Sequence, residues 1–121
     1  MNALRVSRAA ALAALLVGGC SAPAPNQRID DSEIAALAPL KHRYSGIVMG
    51  FDVKPQTTLV VSLDLQGYID ADDDTVAALK RDALVRWRAA WTSAHPHAHA
   101  TITVHFIDFI GRSVASESTK V

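Results

Sequence analysis

Residues 72–93 read DDDTVAALKRDALVRWRAAWTS, and their period decides the fold. Val76, Leu79, Ala83, Trp87, Ala90, Trp91 and Ala94 recur at steps of three and four, which draws one apolar stripe along a helix from Thr75 to about Ser93. Lys80, Arg81, Arg86 and Arg88 take the remaining surface. Asp72, Asp73 and Asp74 supply caps and complement the positive end of the helix dipole, each by about 0.3–1 kcal/mol. A helix with one apolar face needs a second layer to bury it. Trp87 and Trp91, aligned on the stripe, read as the main contact between layers and not as an exposed aromatic shelf.

That second layer is visible in three stretches of period two. In the first, Ile47, Met49, Phe51 and Val53 share one face, with Val48, Gly50 and Asp52 on the other. In the second, Leu59, Val61, Leu63 and Leu65 oppose Thr58, Val60, Ser62 and Asp64, and Lys54-Pro55-Gln56-Thr57 between them reads as a hairpin turn. The third runs from Ala98 to Ile110, with Ile102, Val104, Phe106 and Ile110 facing one way and Thr101, Thr103, His105, Ile107 and Phe109 the other. Gly111-Arg112 ends it. Before the first strand, Asp30 or Asp31 caps a short helix through Ala38 that Pro39 stops. The expected fold is therefore α+β: a three-stranded antiparallel sheet packed by one long helix, in the order β-β-α-β, with a short N-terminal helix. It occupies 30–112 as a single domain, and 113–121 is expected to be a flexible tail.

The chain has 121 residues, room for one domain, and its 50% apolar and 20% charged residues suit a globular core. Lys and Arg total 12, as do Asp and Glu; without Arg5 and Arg8, which lie in the segment expected to be removed, the balance is ten against twelve. No basic stripe is present, which argues against nucleic acid and against a polybasic membrane binder. The single cysteine, Cys20, excludes an internal disulfide and needs another explanation.

Residues 1–19 supply it. Arg5 and Arg8 precede an apolar run from Ala9 to Val17 and a small-residue exit, Gly18-Gly19, the layout of a secretory signal. The run is shorter than the roughly 20 residues that span a bilayer. Leu16-Val17-Gly18-Gly19-Cys20 resembles the lipobox of bacterial lipoproteins. The resemblance implies diacylglyceryl transfer to the Cys20 sulfur, cleavage before Cys20 and acylation of the new amino group. It makes 20–29 a lipidated, Pro-rich flexible tether. By the family's sorting tendency, Ser21 points to the outer membrane, facing the periplasm, with the inner membrane as the species-dependent alternative.

Four further groups invite chemistry. His95, His97 and His99 alternate in an extended stretch and His105 continues their parity, a set that zinc or copper would suit, although one strand cannot wrap a metal alone. The run Asp70 to Asp74 lacks the spacing of a calcium loop and reads as helix capping. Asp64 and His105 would meet if the second and third strands are neighbours, but no nucleophile completes a triad. Val48, Val60, Ile107 and Phe109 fall on the face away from the helix and would form an apolar interaction patch. The expected function is a non-enzymatic interaction or structural role in the envelope, with a protein partner or a second copy of the chain and no cofactor. The alternative is a periplasmic transition-metal binder using the four histidines.

Overall fold

The computed structural model describes residues 25–121. In chain order the elements are α1 (Pro25–Ala36), α2 (Ala38–Arg43), β1 (Val48–Val53), β2 (Thr58–Leu63), α3 (Leu65–Asp70), α4 (Asp73–Ala94), β3 (Thr101–Ile107) and β4 (Ser113–Lys120). The signal 1–19 and Cys20 lie outside the described residues.

The α+β class holds, and α4 is the long helix that the stripe predicts. Asp72 caps it, accepting from the Thr75 N–H at 2.6 Å. Leu79, Ala83, Trp87, Ala90 and Trp91 are buried along one side. They meet Leu59, Val61 and Leu63 of β2 and Ile102, Val104 and Phe106 of β3 in one core, which Leu37, Leu40 and Tyr44 close from the bent N-terminal helix. The Trp87 indole N–H donates to the Thr57 carbonyl at 3.2 Å, so the largest buried side chain also leaves no orphaned donor.

The sheet departs from the expected one. It has four strands in the order β1-β2-β3-β4, and it is mixed: β1–β2 and β3–β4 are antiparallel, but β2 and β3 are parallel. The cause is the length of α4. At 1.5 Å per residue, its 22 residues run about 33 Å, longer than a strand of seven, so the chain returns to the end where β2 began before β3 starts. A helical crossover of that kind makes neighbouring strands parallel.

The fourth strand is the stretch expected to fray. Ser113–Lys120 has few large apolar side chains, yet it pairs with β3 from Thr101↔Lys120 to Ile107↔Ser113. Backbone pairing to an open edge, with Ala115 against Phe106 on the inner side, stabilises a sequence whose own strand propensity is weak. The hairpin turn is Asp108 to Arg112, with Gly111 at φ +87°, and it replaces the outer end of the expected third strand. Ile110 therefore sits on a turn and not on the inner face.

Smaller corrections follow from local geometry. A bulge between Val48 and Gly50 turns Val48 into the core beside Ile47 and leaves Met49 outside, reversing the expected parity at the start of β1. Residues 25–29, expected in the tether, belong to α1, where Pro25 stands in the first turn, whose N–H groups have no partner within the helix. The short helix is not capped by Asp30 or Asp31, which lie inside α1, and Pro39 does not stop it: α1 ends at Ala36, and Pro39 stands in the first turn of α2, where its missing N–H costs nothing. Leu65 leaves β2 to begin α3, whose Asp64 cap accepts from the Gln66 N–H at 3.2 Å. Gly67 lets α3 settle on the entry to β1: a Cβ there would stand 2.0 Å from the Gly46 carbonyl oxygen.

Candidate interaction site at one end of the sheet

The sheet topology gathers loops by direction. β2 and β3 are parallel and finish together, and their antiparallel neighbours β1 and β4 begin at that same end. The bulge of β1, helix α3 and the β3–β4 turn thus share one end of the molecule. So do four of the five large apolar side chains exposed among the described residues: Met49 at 55%, Ile69 at 64%, Phe109 at 79% and Ile110 at 60%; the fifth, Val85, is on α4. Single exposed apolar residues are ordinary, but their concentration at one end is not.

Phe109 and Ile110 are held outward by a buried carboxylate. Asp108, 3% exposed, accepts from the Ile110 N–H at 3.1 Å, the Arg112 N–H at 2.9 Å and the Arg112 guanidinium Nε at 2.7 Å. The Asp108 N–H in turn donates to the Arg112 carbonyl, and the Gly111 N–H to the Asp108 carbonyl, both at 3.0 Å. Burial alone would raise this carboxyl's pKa; the donors from Arg112 and Ile110 outweigh it and hold the group below the ordinary aspartate value. The turn is a fixed pedestal for two apolar side chains.

Carboxylates flank this end. Asp64 and Asp72 cap α3 and α4, Asp70 accepts from the Gln66 side-chain amide at 2.9 Å, and Asp73 and Asp74 form the first turn of α4. Hydrogen bonds from Thr75, through its backbone and then its side chain, hold Asp72 below the usual carboxylate range. Among the described residues the run has cap geometry, as the sequence suggests, and no group of three metal-ligating side chains forms there.

The other sequence candidates are dispersed. His95 stacks on Trp91, ring centroids 4.6 Å apart, with its Nδ1 3.1 Å from the Trp91 carbonyl. His97 stands in a turn at φ +67°, His99 lies 3.2 Å from the Val121 carbonyl, and His105 is hydrogen-bonded to Ser113 at 3.0 Å. The four imidazoles do not converge, and no metal-holding group of three occurs among the described residues. Asp64 and His105 do not meet either, because His105 is in register with Val60, and Asp64 has passed beyond the strand to cap α3. The apolar patch loses Val48 to the core; Val60 and Ile107 are half-buried on the outer face among Ser62, Thr103 and His105. Phe109 remains, in company the alternation does not reveal.

Elsewhere one polar group braces the fold, whereas Glu33 and the Trp91 indole N–H are buried without a partner. Tyr44 donates to Asp82, which also pairs with Arg43 at 3.1 Å and ties the end of α2 to α4. Burial, then the bond to Asp82, pushes the Tyr44 phenol up. Glu33 on α1, 2% exposed, has no hydrogen-bond partner on either carboxylate oxygen, and its pKa is pushed up to about 7 by desolvation and then by Asp30. Met49, Ile69 and the Asp108 pedestal escape a reading of the sequence alone; the turn signature Asp-Phe-Ile-Gly-Arg is the signal that points to the last of them.

Compared with protein-family models, with curated proteins and with solved structures, the chain matches none of them.

Proposed function

We propose that this chain is a membrane-tethered bacterial lipoprotein that faces the periplasm, anchored at Cys20, and acts by protein interaction or as a structural part of the envelope, without catalysis. The observation that carries the tether is the lipobox Leu16-Val17-Gly18-Gly19-Cys20 behind a basic and apolar leader. Support for the interaction role comes from the exposed apolar side chains gathered where β2 and β3 finish. No helix among the described residues is long and apolar enough to cross a membrane. Several acyl chains hold a tether stably where one is marginal. By the sorting tendency of the lipoproteins the leader resembles, Ser21 points to the outer membrane, with the inner membrane as the species-dependent alternative. The rival reading, a transition-metal binder, draws no support from the positions of His95, His97, His99 and His105.

Fatty-acid labelling in cells tests the anchor. Label should enter the wild type and be absent from Cys20→Ser, and globomycin should leave an uncleaved precursor. Equal labelling of the variant, or cleavage unaffected by globomycin, overturns it.

A further inference from the structure

We propose that the end of the sheet bearing Phe109 and Ile110 docks a protein partner whose contacting segment is both apolar and basic. This rests on reading the chain as an interaction protein and adds the surface and the chemistry of its partner.

Leaving a large apolar side chain in water instead of burying it forgoes about 1.5–3 kcal/mol. Here two adjacent ones stand out, and the turn beneath them is braced by three hydrogen bonds onto a buried carboxylate. A tip fixed before binding loses little conformational freedom when a partner arrives, which is the condition under which a small apolar contact yields useful affinity. Met49 and Ile69 extend the apolar area at the same end.

Charge selects the partner. Asp64, Asp70, Asp72, Asp73 and Asp74 are exposed at this end and form no ion pair among the described residues. Of its cations, Arg43 is committed to Asp82 and Arg112 to Asp108, which leaves Lys41, and Arg81 beside Tyr44 on α4, against those five carboxylates. An anionic bilayer is repelled by such a rim, and a second copy would bring like charge to like charge at the same surface. A protein segment with lysine or arginine beside its apolar side chains satisfies both features, and rim charges of this sort favour the right partner and speed encounter.

Two peptides test this on the purified full-length chain: one alternating leucine and lysine, the other leucine and glutamate. The lysine peptide should bind at least about tenfold more tightly, with a steep loss at high salt. Phe109→Ser with Ile110→Ser should abolish binding without lowering the melting temperature, and Asp70→Asn with Asp73→Asn should weaken it several-fold. Equal affinity for the two peptides, no binding, or binding that survives the Phe109/Ile110 change overturns the proposal. In cells, a photo-crosslinker at Ile110 should trap a protein through a segment containing lysine or arginine, and one at Val85 should not. Crosslinks to lipid, to a second copy or to an acidic segment also overturn it. Failure of Cys20 labelling would remove the tether and leave these outcomes intact, so the two readings fail separately.

Discussion

Asp108 and Glu33 are both carboxylates withdrawn from water, one beneath the β3–β4 turn and the other on α1. Asp108 is met by three donors, and its pKa falls; Glu33 meets none, and its pKa rises to about 7. Burial is common to the two, so the difference lies in the partners. Where donors surround the anion, the charged form belongs to the fold; where they are missing, the neutral form does. The turn is consequently a rigid platform at neutral pH, whereas α1 is the element whose docking depends on a proton.

The comparison needs a reference for what the shared core contributes, and Trp87 provides the largest expected effect. Trp87→Ala should cost about 3–5 kcal/mol, because it removes a fully buried ring and its bond to the Thr57 carbonyl. A denaturant melt measures it. A cost below about 1 kcal/mol would mean that the ring fills no core, and that α4 does not serve as the common wall for both regions.

Glu33→Gln comes next and acts in the opposite sense. The folded pKa of about 7 lies above the reference value of 4.5, so the folded state holds the proton more tightly than the unfolded one. The resulting stability is complete below pH 4.5 and is lost as pH rises through about 7. Complete loss corresponds to about 3.5 kcal/mol at roughly 1.4 kcal/mol per pH unit. Glutamine stays neutral, so the variant should be more stable than the wild type at pH 8 and equal to it near pH 4.5. Melts across that range decide, and a variant less stable at pH 8 would show that the carboxylate has found a partner.

Asp108→Asn gives the smallest of the three changes and the mirror-image profile. Its folded pKa is depressed, so its stability is present above the ordinary aspartate value and lost as pH falls through the folded one. The variant should lower the melting temperature at neutral pH and flatten the acid limb of the profile. Amide exchange should quicken at Ile110 and Arg112, whose N–H groups the carboxylate now holds. Unchanged exchange there would mean that backbone bonds alone keep the turn rigid. Together, the wild type should be most stable near pH 4.5, between the two limbs.

The sequence by itself determined what depends on neighbours along the chain. The three-and-four spacing from Val76 to Ala94 made α4, Asp72 capped it, and the alternations around Phe51, Leu59 to Leu63 and Ile102 to Phe106 made three strands with their core faces. Those signals are local, since a period of 3.6 or 2 is written in consecutive side chains. Only the tertiary structure decided what depends on meeting a distant partner. β2 and β3 became parallel because of the reach of α4, and the polar stretch Ser113–Lys120 became a strand because β3 offered an open edge. The same holds for the site. Phe109 was visible as an outward residue, but its gathering with Met49, Ile69 and Ile110 required the strand directions, and the opposite fates of Glu33 and Asp108 required knowing which donors folding brings within reach. Alternation reports which side of a strand a residue takes; hydrogen-bond partners and strand ends are set by contacts far apart in the chain.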